Sequence, residues 1–154
     1  VKLHIACGDK IFEGYLNVDI KPPADLIHDC REPLDLPDGS VEEIYSSHFI
    51  EHLSPQEWQA VLPEWVRLLK HGGILRVDCP DAIKCMNYFC SNMDGARWTL
   101  WHRTIWGDPD TPGMAHKQGF TIGRLRDNLE EAGLRVTMAK QFVEDGLEID
   151  TIRF

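Results

Sequence analysis

Leu3-His4-Ile5-Ala6-Cys7-Gly8-Asp9, then Gly14, then Leu16-Asn17-Val18-Asp19-Ile20 is the stretch from which the fold is read. Two short β-rich apolar runs are split by glycine bends. The first run ends at Gly8-Asp9 and the second ends at Asp19. A glycine just past a buried strand lets the backbone approach a ligand closely. A carboxylate at the tip of the next strand can accept both hydroxyls of a ribose. Read without context, the same residues also describe an ordinary strand–turn–strand with a solvated Asp19. The spacing narrows the ligand if there is one. A dinucleotide seat wants G-x-G-x-x-G opening a helix, with an acid ~20 residues further on. Here one glycine precedes Asp19 by eleven positions. No glycine cradle for a pyrophosphate is present, which favours a nucleoside-type ligand without phosphates.

Outward from this stretch, short apolar runs continue at Asp25–Asp29, Glu43–His48 and Gly73–Cys79, each bounded by turn residues. Such runs read as buried parallel strands. Between the last two lies the best helix. Ser54 is its N-cap, Pro55 its first position and Glu57 the partner that completes a capping box. Trp58, Val61, Leu62, Trp65, Leu68 and Leu69 form its apolar stripe. Pro63 is expected to kink or split this helix, and Gly72 to stop it as a left-handed cap. A second helix is expected from its N-cap Thr121 to Ala132, stopped by Gly133. Leu134–Val143 and Leu147–Phe154, joined by Glu144-Asp145-Gly146, read as an antiparallel hairpin closing the sheet. Asn87–Gly119 reads as irregular and long for a connection, the kind of segment that carries function or is disordered.

The fold class is therefore α/β: one domain over 1–154, a mostly parallel sheet with a reversed C-terminal hairpin. Two crossovers are too short for helices. Gly8–Tyr15 and Lys21–Ala24 fall below the ~10–12 residues a parallel crossover normally takes. The early helices are expected to be reduced, leaving one sheet face under-covered. An apolar face left bare would take a second copy or a neighbouring domain.

Composition excludes several classes. The apolar and charged shares, 43% and 27%, are those of a globular protein. No run approaches the ~20 apolar residues of a membrane span, and no secretory leader is visible at the N-terminus. Cys7, Cys30, Cys79, Cys85 and Cys90 are odd in number and have no C-x-x-C spacing, so reduced thiols and a cytoplasmic setting are expected. A net charge of −9 with no basic stripe disfavours nucleic acid and anionic membranes as partners.

The chain resembles the class I S-adenosylmethionine-dependent methyltransferases over nearly its whole length. The likeness is greatest to their short form, often associated with glycan or surface-polysaccharide gene clusters. Ile5-Ala6-Cys7-Gly8 matches the first motif and Asp19 the ribose-binding acid. His28-Asp29-Cys30, Leu34, Leu36-Pro37-Asp38-Gly39-Ser40 and Glu43-Ile44 match the next stretch. Ser47-His48-Phe49-Ile50-Glu51-His52-Leu53 follows, then Glu64, Arg67-Leu68-Leu69-Lys70, Gly72-Gly73-Ile74-Leu75 and Pro80. Gly107, His116, Gly119-Phe120, Leu125, Leu129 and Ala132-Gly133 match the late pattern. His71 departs from the family's proline. The resemblance implies a Rossmann-like sheet and S-adenosyl-L-methionine as cofactor. Ala6, Cys7 and Gly8 would line its methionine end, Asp19 would hold its ribose, Asp29 and Cys30 would border its adenine, and Ile20 would be a further cofactor contact. Ser47 and His48 would lie near the sulfonium.

The same resemblance implies an acceptor site covered by the segment that holds His116. A histidine there can take a proton near working pH, or be an ordinary loop residue. His116 is the favoured base, with His48 and Asp81 as further catalytic candidates and His102 a weaker one. Asp81 equally fits the N-cap of the helix after it, and Asp78 flanks the same strand end. Trp98, Trp101 and Trp106 offer either a platform for a sugar or aromatic acceptor or plain packing. His48 and His52, four apart around Glu51, would share a face on a helical turn. H-x-x-E-H matches no zinc motif well and shows no third ligand, so no metal is expected. The reading is methyl transfer to a sugar or other small-molecule hydroxyl. The alternative is a cofactor-binding, inactive partner subunit.

Overall fold

A computed structural model describes residues 1–91, 98–141 and 146–153, the side chains at 98–101 and 146–152 excepted. β1 (Lys2–Ile5), β2 (Leu16–Asp19), β3 (Leu26–Ile27), β4 (Val41–Ser47) and β5 (Leu69–Pro80) pair in parallel. β6 (Leu134–Gln141) and β7 (Gly146–Arg153) form the antiparallel hairpin, with β7 against β5. The sheet order is β3-β2-β1-β4-β5-β7-β6. This is the expected Rossmann-like sheet. The expected turn at Glu144 and Asp145, and the run ends at Val143 and Phe154, lie outside the described residues.

α1 (Pro55–Leu68) starts where its capping box requires: Ser54 Oγ accepts from the Glu57 amide and Glu57 accepts from the Ser54 amide. Pro63 neither splits nor ends it. Pro63 and Gln59 both face solvent, so water can serve the Gln59 carbonyl that the proline leaves without a partner. The stop is not Gly72. The helix ends at Leu68, and Arg153 spans its last turn, donating to the carbonyls of Val66, Arg67 and Leu69. A cation on orphan carbonyls at a C-terminus does the work of a glycine cap. Gly72, φ +78°, instead sits in β5, where the pairing with β4 jumps from Leu69 to Ile74.

The core lies on one side of the sheet. Leu3, Ile5, Val18, Ile44, Leu75 and Val77 meet Trp58, Leu62 and Trp65 of α1 and Leu125 and Leu129 of α4 (Ile122–Glu131). Trp58 ties the two helices, stacking edge-on to Phe120 and donating to Asn128. The motif-like residues Glu64 and Arg67 brace this layer rather than the site: Arg67 reaches Leu34, Leu36 and Asp38, and Glu64 accepts from the Leu34 amide. α2 (Ala82–Ser91) and α3 (Trp98–Trp106) occupy much of the segment expected to be irregular.

As expected, no helix joins β1 to β2 or β2 to β3. The face this leaves is not apolar, however. Lys2, Glu43 and Arg76 form an ion-paired row across it. Tyr45 donates to Asp78, and His4, Phe12 and Tyr45 stack. The apolar ground for a covering copy or domain is therefore absent on this face among the described residues. The loop replacing the first helix is held by Asn17. Its Oδ1 accepts from the Phe12 amide and meets His4 Nδ1; its Nδ2 donates to Phe12, Tyr15 and Asp25.

Two outcomes follow for stability. Asn17→Ala strands several of these groups and is expected to cost about 2–4 kcal/mol, read by urea denaturation. The Ser54 amide, with Lys117 second, holds the Glu57 carboxyl down at about 2 against an ordinary 4.5. Its stabilisation is then complete above pH 4.5 and is lost as pH falls towards 2. Glu57→Gln should lower the melting temperature at neutral pH, with the difference from the parent closing across that acid window.

Candidate active site

The strand order grows outward in one direction from β1 and in the other from β4, and ligands on such sheets bind at the carboxyl ends of the strands flanking that switch point. The bend after β1 opens the site. Ala6 and Gly8 both adopt left-handed backbone, φ +54° and +55°, turning the chain sharply over the strand tip. Asp19, at the tip of β2, accepts from the Gly8 amide through Oδ2 at 2.9 Å. No donor among the described residues pairs with its Oδ1, which leaves that oxygen for ligand hydroxyls. A Cβ built on Gly8 would meet nothing within 4 Å. The space above the bend is thus open for a nucleoside ligand. Ile20, next in the chain, is 67% exposed and offers an apolar surface beside Asp19.

The other expected seat residues fall around this bend in different ways. Cys7 is buried, and burial pushes its thiol up. Cys30 lies in the core with its thiol pushed up to about 12 by burial, so its side chain packs and only its backbone can border a ligand. The Asp29 carboxylate is held bidentate by Arg31, which lowers its pKa. A cavity of about 650 Å³ opens beneath this segment on the α1 side, lined by Cys30, Leu34, Glu57, Val61 and Trp65. It adjoins the seat through Cys30 and Ile5 and lacks the Gly8 and Asp19 groups.

Across the switch point, β4 ends at Ser47, and His48 follows at φ +52° with its amide on the Asp78 carbonyl. A short 3-10 turn, Ile50–His52, comes next. His48 and His52 do not share one helical face, because the left-handed His48 lies before the turn. Glu51 points back at His48, its Oε1 3.3 Å from Nδ1, while His52 meets His116, ring centroids 4.8 Å apart. Glu51 is 2% exposed. His116 is half-buried; burial lowers its pKa, and the Glu51 charge pulls it back up.

Gly107 brings His116 to this turn. Its φ is +71°, and a Cβ there would stand 2.1 Å from the Met114 carbonyl oxygen, so only glycine allows the fold-back that pairs 107 with 115. Lys117 and Gln118 then donate their amides to the Glu51 carbonyl. Asp81, proposed from sequence as catalytic, is buried with both oxygens engaged. Oδ1 caps α2 through the Ile83 and Lys84 amides, and Oδ2 accepts from Gln141. The His102 and Trp106 rings lie tilted against each other, centroids 4.9 Å apart, and the Trp98 and Trp101 side chains lie outside the described residues.

The sequence pattern of a family described as a methyltransferase domain matches residues 5–77, which span both the bend and the histidine turn. No curated protein matches the chain in sequence. Among solved structures, a SAM-dependent methyltransferase from Methanosarcina mazei superposes with a TM-score of 0.70 at 17% identity, covering 99% of this chain and 92% of that one. One from Archaeoglobus fulgidus gives 0.67 at 17%, covering 99% and 85%. The Burkholderia thailandensis 1,6-didemethyltoxoflavin-N1-methyltransferase, with bound 1,6-didemethyltoxoflavin and S-adenosylhomocysteine, gives 0.70 at 14%, covering 99% and 70%. At these identities the structures speak for the fold. No described helix is long and apolar enough to cross a membrane.

Because the space over Gly8 is empty of protein, Gly8→Ala should cost only the left-handed backbone penalty, about 1–2 kcal/mol by denaturant midpoint.

Proposed function

We propose that this chain is a class I S-adenosylmethionine-dependent methyltransferase and that it methylates a hydroxyl of a small molecule, a sugar foremost. What supports the reading is one juxtaposition. The bend with an uncommitted Asp19 oxygen and the Glu51–His52–His116 cluster stand at the same end of the sheet, on either side of its switch point.

The open space at Gly8 and the half-used Asp19 carboxylate fit the cofactor. Gly8 lets the main chain approach its methionine end, Asp19 Oδ1 takes the ribose hydroxyls, and Ile20 lies against the adenine. When bound, S-adenosyl-L-methionine supplies an electrophilic methyl on a sulfonium, so the protein's share is mainly alignment and exclusion of water. A hydroxyl is a poor nucleophile until it loses its proton. His116 is the group assigned to receive that proton, with exposed His48 as its route to solvent. Ser47 and His48 flank the sulfonium side. The setting is cytoplasmic: all five cysteines are free thiols and four of them are buried.

Calorimetric titration tests the seat. S-adenosylhomocysteine should bind with micromolar affinity and NAD should not. Asp19→Asn keeps an oxygen for Gly8 but loses the charge, and should weaken S-adenosylhomocysteine by about 10–100-fold. Micromolar NAD binding without S-adenosylhomocysteine binding would overturn the seat. For the acceptor, cofactor turnover is measured against a panel of sugars and small hydroxyl compounds. His116→Ala should abolish turnover while retaining S-adenosylhomocysteine affinity; unchanged turnover would remove its role.

A further inference from the structure

Glu51 stands apart from the other described carboxylates. It is buried, yet neither of its oxygens accepts a hydrogen bond among the described residues. Among the described residues, every other buried carboxylate has a named donor: Asp19 has Gly8, and Asp81 has the α2 amides and Gln141. A buried anion without donors needs a compensating cation. His48 Nδ1 comes within 3.3 Å, but that ring is 60% exposed. On the buried side stand two imidazoles.

His52 is arranged as a ligand is, and His116 meets it ring to ring. His52 Nδ1 lies 3.3 Å from the Ala115 carbonyl oxygen, to which it donates, leaving Nε2 as a lone-pair donor. The main-chain carbonyls of Thr104 and Ile105 lie against the His116 ring. A ring nitrogen spent on a backbone carbonyl fixes the tautomer and orients the other nitrogen, the pattern seen around metal-bound histidines. One donor atom from each of Glu51, His52 and His116 falls within 4.8 Å of the others. This is the third ligand that the sequence did not show, because it arrives 64 positions after His52. The expectation of no metal rested on its absence.

We propose that Glu51, His52 and His116 bind a divalent transition-metal cation, and that its open positions take two adjacent oxygens of the methyl acceptor. Two imidazoles and one carboxylate suit zinc, cobalt or manganese rather than calcium, which prefers an all-oxygen shell. Three protein donors leave coordination positions free for an acceptor. The acceptor class becomes a vicinal diol, as in a sugar ring or a catechol. This deepens the hydroxyl reading and rests on it, changing one part: with a cation bound, His116 is a ligand and not the base. The cation's charge favours loss of the hydroxyl proton, which leaves to solvent past His48. The oxygen–methyl bond forms as the methyl–sulfur bond breaks, so one ether, one thioether and one proton result.

The test uses the full chain stripped of metal and titrated with cobalt(II), whose visible bands intensify in a low-coordinate histidine–carboxylate site. One equivalent should bind. Glu51→Gln, His52→Ala and His116→Ala should each weaken binding beyond the ~10–100-fold that losing an outer-shell partner costs. His71→Ala, at the far end of β5, should leave binding unchanged. Catechol should then perturb the bands at a concentration where phenol does not. Failure of the stripped chain to bind cobalt, or binding that survives all three substitutions, overturns the site. Equal responses to catechol and phenol overturn the diol assignment. S-adenosylhomocysteine affinity, measured by calorimetry without cobalt, separates the two levels. If it persists while cobalt binding fails, the metal is wrong and the methyltransferase seat stands.

Discussion

The buried amide of Asn17 carries the constraint on which the ligand end of the molecule depends. A Rossmann-like unit ordinarily satisfies the chain between its first two strands with a helix. Here that chain is too short, and its polar groups still need partners. Asn17, 1% exposed, supplies them from the neighbouring strand: it accepts from Phe12, donates to Phe12 and Tyr15, and anchors to Asp25. The bend at Ala6–Gly8 can hold two left-handed residues because its far end is pinned in this way. The cost of order 1 kcal/mol for a non-glycine in that region, as at Ala6, is met by surrounding contacts. Asp19, two residues on at the tip of β2, then completes the bend by taking the Gly8 amide.

The same economy explains the second face of the sheet. With no helices over it, an apolar surface would be exposed to water or to another chain. Alternate positions of β1, β4 and β5 instead carry Lys2, His4, Glu43, Tyr45, Arg76 and Asp78. Their ion pairs are half-solvated and contribute little stability each. Their effect is to make the bare face tolerable in water while Leu3, Ile5, Ile44, Leu75 and Val77 face the core on the other side. The remaining exposed apolar side chains include Ile20, Leu26 and Ile27, beside the seat and along the β3 edge.

How much of this was legible in the sequence depended on the range of the interaction. The strand order of apolar runs, the capping box at Ser54, the Thr121 cap and the closing hairpin are local patterns, and they were readable. So were the missing early helices, from connection length alone. What local pattern misread was decided at long range. The stop of α1 comes from Arg153, at the opposite end of the chain, so Gly72 was free to serve as a bulge in β5. The charge on the bare face was visible as letters, but its alternation only acquires meaning once β1, β4 and β5 are in register. In the site, Gly8 and Asp19 are eleven apart, near enough in sequence for their proximity to be read from the strand–bend–strand pattern. Asp81 was ambiguous between strand tip and helix cap, and the α2 amides decided for the cap.

His116 shows where such reading reaches its limit. Its neighbours in sequence describe a loop, and nothing within ten residues indicates that it faces Glu51. The fold-back is set by Gly107, where any side chain would strike the Met114 carbonyl, and by the Lys117 and Gln118 amides on Glu51. Those two main-chain bonds place the loop on the carbonyl of the very residue whose side chain lacks donors. The contact that holds the loop down and the group that gives the loop a chemical purpose therefore belong to one residue. A substitution that frees the 107–118 segment would withdraw His116 from the cluster and uncover the buried carboxylate together. Loop order and the chemistry of this half of the site are thus linked through Glu51. The Gly8–Asp19 half shares no described hydrogen bond with that link and stays assembled without it.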